Sequence, residues 1–191
     1  MTDELKPAPE PAFNAPWQSL LLPLLLVVAF VAQGFVALET VARYALSTQA
    51  VRAGHWETLF TSLFLHGGWG HLLMNAGSAL AFGPPVARAL GENLKGAAFF
   101  YLFFLICGAA AGLGFVAVHP EGSGLVIGAS GAISGLWGAA SGLLAGRGTL
   151  APVLSRPVVV QAIVFTVINA GIGLLGGFAQ MNIAWEAHLA G

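Results

Sequence analysis

Five long apolar runs, separated by short polar or glycine- and proline-containing breaks, set the pattern of this chain. They cover roughly residues 17–38, 69–87, 96–118, 128–145 and 157–178. A helix needs about 20 mostly apolar residues to cross the hydrocarbon layer of a bilayer, so each run predicts a spanning helix. A sixth run begins near Ile183 and reaches only Gly191, which is too short to cross, so the chain is expected to stop inside its last helix. One connection is long. Residues 39–68 carry Arg43, Tyr44, Arg52, His55, Trp56 and Glu57 among apolar positions, the composition of a segment lying at headgroup level. No repeat of 20–50 residues is visible.

Composition supports the same picture. Hydrophobic residues make up 57% of the chain and charged residues 8%, against about 25% charged in an average soluble domain. Glycine is abundant, at 26 of 191 residues, which suits close helix packing in lipid. A net charge of −1 gives no reason to expect nucleic acid as a partner. The single cysteine, Cys107, excludes an internal disulfide and is read as a small buried hydrophobe. Residues 1–16 are polar and rich in proline, and lack the basic-then-apolar order of a signal peptide. They are expected to form a disordered cytoplasmic tail, with residues 17–191 forming the membrane domain.

Lysine and arginine set the orientation. With the N-terminus in the cytoplasm, Lys6, Arg88, Lys95, Arg147 and Arg156 fall inside and only Arg43 and Arg52 outside, and five against two favours that arrangement. A bacterial inner membrane is the expected location. The second, fourth and sixth runs then all enter from the outer side. His66, His71 and Asn75 lie at or near the start of the second, Ser130 near the start of the fourth, and His188 near the start of the sixth. At 1.5 Å per residue all lie within about a dozen ångströms of the outer interface.

Polar groups inside a membrane are costly and mark functional sites. Ser130 and His188 are the minimum for nucleophilic acyl transfer, because a histidine near pH 7 can take the serine proton and return it to a leaving amine. Gly128 and Gly131 leave the backbone around Ser130 bare, and the helix start offers free N–H groups to an oxyanion. Taken alone, Ser130 reads first as a small packing residue, since Ser134 and Ser141 share its run. Glycines 128, 131, 135, 138, 142 and 146 recur every three or four residues and predict one smooth packing face. His71 and Asn75 are four apart, share a helix face and can donate to an oxyanion. No carboxylate or thiolate joins His66, His71 and His188 at ligand spacing, so a metal or haem site is not expected. Glu186 is two residues from His188 and on another face, so a dyad is expected, with packing alone holding the imidazole.

These residues carry a resemblance. His66, His71 and Asn75 in the spacing H-x4-H-x3-N, then Gly128-Ala129-Ser130-Gly131, then Ala187-His188-Leu189-Ala190-Gly191, resemble the rhomboid intramembrane serine proteases. Phe60-Thr61-Ser62-Leu63-Phe64-Leu65-His66-Gly67-Gly68 is similar to that family's approach to its second helix, and the likeness runs from about Gly54 onward. The resemblance implies an all-α bundle of six membrane helices, here with the last incomplete. It implies Ser130 as nucleophile, His188 as general base, and an oxyanion hole of His71, Asn75 and the Ser130 N–H, with His66, Gly128 and Gly131 in support. It implies cleavage of transmembrane protein substrates near the outer face of the bilayer without a cofactor. Three positions depart from the family's pattern. Glu57 stands where an arginine follows the tryptophan, Ala87 where a glutamate often ends the second helix, and Ser134 where an aromatic usually underlies the histidine. A relative reduced to binding or chaperone work would be expected to lack the serine or the histidine. A small transporter would show inverted repeats or broken helices at the midplane.

Overall fold

The structure, a computed structural model, describes residues 14–122, 124–178, 188 and 191. Among these, eight α-helices and one 3-10 turn account for the architecture. They are α1 (Trp17–Gln33), α2 (Leu38–Tyr44), α3 (Thr48–Arg52), α4 (Thr58–Thr61), the 3-10 turn Ser62–Phe64, α5 (Trp69–Leu90), α6 (Leu94–Val118), α7 (Ser130–Ala145) and α8 (Arg156–Phe178). Most of the expected tail and most of the sixth run, Glu186 included, lie outside the described residues.

Local chemistry fixes several boundaries. The carbonyl of Pro16 accepts from both the Ser19 N–H (2.9 Å) and the Ser19 hydroxyl (2.7 Å), which opens α1. Asn93 opens α6 by accepting from the Gly96 N–H at 2.9 Å, and Ser47 opens α3 by accepting from Ala50 N at 3.0 Å. The first apolar run does not continue as one helix to residue 38. From Gly34 the N–H groups bond three residues back, to Val31, Ala32 and Gln33, and the chain turns before α2 begins.

One core joins the long helices. Leu22 and Leu26 of α1, Leu72, Ala79 and Val86 of α5, Phe100 and Phe104 of α6, and Ile133, Leu136 and Leu143 of α7 are all buried in it. Helix α7 packs between α5 and α6, α1 packs on α5, and α8 joins along α7. An aromatic ladder crosses three of these helices. Phe82 of α5 stacks on Trp137 of α7 with centroids 4.8 Å apart, and Phe165 of α8 meets Trp137 edge-on at 4.8 Å.

The long connection is packed rather than merely laid on a surface. Its Leu46, Val51 and Leu59 form a second buried cluster with Ala111 and Phe115 of α6. Gly108 and Gly112 make room for it: a Cβ at Gly108 would stand 2.5 Å from Leu63, and one at Gly112 would stand 2.7 Å from Leu59. Leu46 and Val126 exchange both backbone hydrogen bonds, tying this connection to the loop before α7.

The outward faces of the long helices are apolar, with Leu24, Val28, Leu73, Leu102, Ile106, Ile163 and Val167 exposed. Water would make that costly, and lipid makes it favourable. By length and composition α6 can cross a bilayer unaided, while α1 is apolar and shorter at 17 residues.

Candidate active site

Ser130 is the first residue of α7. The residue before it, Ala129, has no side chain that could cap the helix, so the first N–H groups of α7 have no capping side chain as partner. Gly128 shapes the approach. Its φ of +114° lies in the region that disfavours a side chain, and its N–H bonds to the Ser62 carbonyl at 2.9 Å. A Cβ there would stand 2.6 Å from His71 Nε2 and 3.5 Å from Asn75 Nδ2. The absent side chain therefore brings His71 and Asn75 of α5 against the loop that leads into Ser130. Gly131 is buried at the same helix start, and Gly135 one turn on faces Cys107 of α6 so closely that no Cβ fits between them. Cys107 is itself buried and free.

His188 reaches this point from the far end of the sequence. Its Nε2 lies 2.7 Å from Ser130 Oγ, across 58 residues. Its Nδ1 lies 2.6 Å from Oδ1 of Asn169 on α8. The expectation that packing alone holds the imidazole is therefore corrected, because a buried amide bonds its second nitrogen. Asn169 is only 5% exposed, and its Nδ2 donates to the Phe165 carbonyl one turn earlier at 2.9 Å. Sequence reasoning missed Asn169. The signal was present, since it is a polar side chain inside the apolar run Val167-Ile168-Asn169-Ala170, and intramembrane polar residues deserve a search for partners.

On the other side of the site, the buried Asn75 uses one of its two amide hydrogens on the His71 carbonyl at 3.1 Å, which leaves the second for another acceptor. The His71 ring meets the His66 ring edge-on at 5.1 Å, and Phe30 of α1 packs edge-on to His66 and Trp69. His66 is fully buried in the loop before α5. Burial, with the neighbouring His71 adding to it, pushes its imidazole down to about 4, so it stays neutral near pH 7. Gln33, at the end of α1, holds that loop with two bonds. Its Nε2 donates to the His66 carbonyl at 2.8 Å, and its Oε1 accepts from the His66 N–H at 3.0 Å. Gln33 also went unnoticed in the sequence.

The positions that depart from the expected pattern have their own partners. Ser134 donates its hydroxyl to the Ser130 carbonyl at 2.8 Å, the ordinary i→i−4 bond of a helical serine. Glu57 pairs with His55 at 3.1 Å on the surface. Ala87 is buried, and its carbonyl and that of Gly91 accept from Gln18.

A serine hydroxyl hydrogen-bonded to an imidazole, beside helix N–H groups without a side-chain cap and an amide with a spare hydrogen, is equipped for attack on a carbonyl and for holding the resulting oxyanion. Comparison with known proteins points the same way. A family model described as "Rhomboid domain" matches residues 53–191. A protein of Bacillus subtilis (strain 168) named "Putative rhomboid protease YdcA" is 31% identical over 153 residues, which is 80% of this chain and 69% of the relative.

Proposed function

Because the chain belongs to the rhomboid family, a family of intramembrane proteases built as multi-pass helical bundles, we propose that it is a serine endopeptidase cutting transmembrane protein substrates near the outer face of the bilayer. The observation that carries this reading is the 2.7 Å bond between His188 Nε2 and Ser130 Oγ at the start of α7. In the proposed reaction Ser130 Oγ attacks the carbonyl carbon of the scissile bond and His188 Nε2 takes the hydroxyl proton. Charge moves onto the carbonyl oxygen, where the Ser130 N–H, the second Asn75 amide hydrogen and His71 receive it. The tetrahedral intermediate collapses as His188 returns its proton to the leaving amine. Water then attacks the acyl-enzyme as His188 accepts a proton from it, and His188 returns that proton to Ser130 Oγ as the bond to the acyl group breaks and the second product leaves. His66, Gly128 and Gly131 serve by shaping the walls of this site.

Ser130→Ala is expected to abolish cleavage of a membrane-spanning reporter without loss of thermal stability. Ser134→Ala and Ser141→Ala are expected to retain it, since Ser134 is engaged with its own helix. Labelling by a fluorophosphonate probe should disappear in the same variant. Undiminished turnover by Ser130→Ala would remove the assignment.

A further inference from the structure

We propose that Asn169 is a positioning residue for His188, converting the serine–histidine pair into a relay of three side chains. This rests on the reading of Ser130 and His188 given above. The direction of every proton in the relay follows from one fixed end. The Phe165 carbonyl can only accept, so the Asn169 atom facing it at 2.9 Å is the NH2 group. Turning the amide over would set two oxygens against each other. The atom facing His188 Nδ1 at 2.6 Å is therefore Oδ1, which can only accept. It follows that Nδ1 carries the hydrogen. A neutral imidazole has one N–H, so Nε2 presents its lone pair to the Ser130 hydroxyl at 2.7 Å.

That is the tautomer a general base needs. With the proton on Nε2 the ring would donate to Ser130 and could not take its proton. In an apolar setting an Nδ1–H without an acceptor is costly, and the non-productive tautomer would compete. Asn169 supplies the acceptor without adding a formal charge at membrane depth, where a carboxylate is expensive. Its place is held by packing. Phe165, whose carbonyl anchors the amide, presses its ring on Trp137 of α7, the helix that begins at Ser130. The amide and the nucleophile are thereby referred to the same helix.

The alternative is that Asn169 merely fills space between helices, and two substitutions separate these roles. Asn169→Leu keeps the volume and removes the acceptor. Asn169→Asp keeps an acceptor oxygen but is the poorer packing residue. The measurements are kcat and KM for a membrane-spanning reporter, using the full chain reconstituted in lipid, with thermal unfolding followed alongside. Asn169→Leu is expected to lower kcat by about 10²-fold or more, with KM within about twofold; the wrong tautomer in a Ser-His-Asp protease costs about 10⁴. Asn169→Asp is expected to be clearly faster than Asn169→Leu. In 15N-histidine spectra of the folded protein, the His188 signal should move from the Nδ1–H form toward a tautomer mixture in the leucine variant. Asn169→Ala gives the same reading should the leucine variant not fold. Wild-type kcat in Asn169→Leu or Asn169→Ala, or a leucine variant faster than the aspartate one, would overturn the proposal. Ser130→Ala in parallel keeps the two ideas apart. Cleavage by Ser130→Ala would defeat the protease reading itself, whereas an inert Ser130→Ala beside a fully active Asn169→Leu would defeat only this one.

Discussion

At the scale of single residues, Asn75 shows how one amide serves two masters. One of its hydrogens is committed to the His71 carbonyl, which fixes the side chain against its own helix, and the other points away from that bond. A donor held in this way costs no reorganisation when charge develops in front of it, which is the condition for transition-state stabilisation. Under the proposed mechanism, Asn75→Ala should lower kcat by about 10²–10³ while changing KM little. Reporter cleavage over a range of substrate concentrations, with expression and melting checked, measures this. A change confined to KM would make Asn75 a substrate-binding residue instead. His188 and Ser130 were findable from sequence because lipid restricts polar side chains to few places and both fall at one depth. Asn169 and Gln33 were harder to find, because an uncharged amide advertises no partner. Asn169 is paired on one side with a backbone carbonyl, and Gln33 entirely with backbone, and every residue supplies those groups.

At the scale of elements, apolar run length gave the helices almost directly, since a spanning helix cannot be much shorter than the layer it crosses. What run length cannot give is how the connections pack. Residues 39–68 look like a surface segment by composition, yet Leu59 and Leu63 are received by two glycines of α6. A cavity for a leucine and a stripe for a helix are written with the same small residues. Helix α1 likewise looks like an isolated span, but its last residue clamps the loop that launches α5. Gln33→Leu should remove both hydrogen bonds to His66 and leave a backbone N–H and C=O facing apolar surroundings. Each such group costs about 1–3 kcal/mol, so a loss of roughly 2–6 kcal/mol is expected, read as a lower unfolding temperature in detergent. Cleavage should fall as well, because the loop sets the start of the helix carrying His71 and Asn75. A variant that melts with the wild type would show that solvent or lipid headgroups replace the clamp.

At the scale of the whole molecule, net positive charge among the described residues gathers at the end of the bundle opposite Ser130. Arg88, near the end of α5, and Arg147, just after α7, line one cavity of about 420 Å³ together with Pro85 and Leu143. Helix α7 separates that end from Ser130 by its 16 residues, about 24 Å at 1.5 Å per residue. Asn169 lies thirteen residues beyond Arg156 along α8, about 20 Å, so it has climbed from the arginine end toward the serine end by the time it meets His188. At the serine end Arg52 is offset by its ion pair with Glu121 at 3.5 Å. The positive end should therefore face the cytoplasm and the serine end the outside. A cysteine at Gly124, which is exposed and has open space for a side chain, reports on the serine end. A cysteine at the exposed Thr149 reports on the arginine end. In a background with Cys107 replaced, a membrane-impermeant maleimide should label Gly124→Cys in intact cells and Thr149→Cys only after permeabilisation. The opposite pattern would turn the molecule over. The bond cut would then lie on the cytoplasmic side of the bilayer, and substrates would have to be sought among proteins whose accessible helix ends face inward.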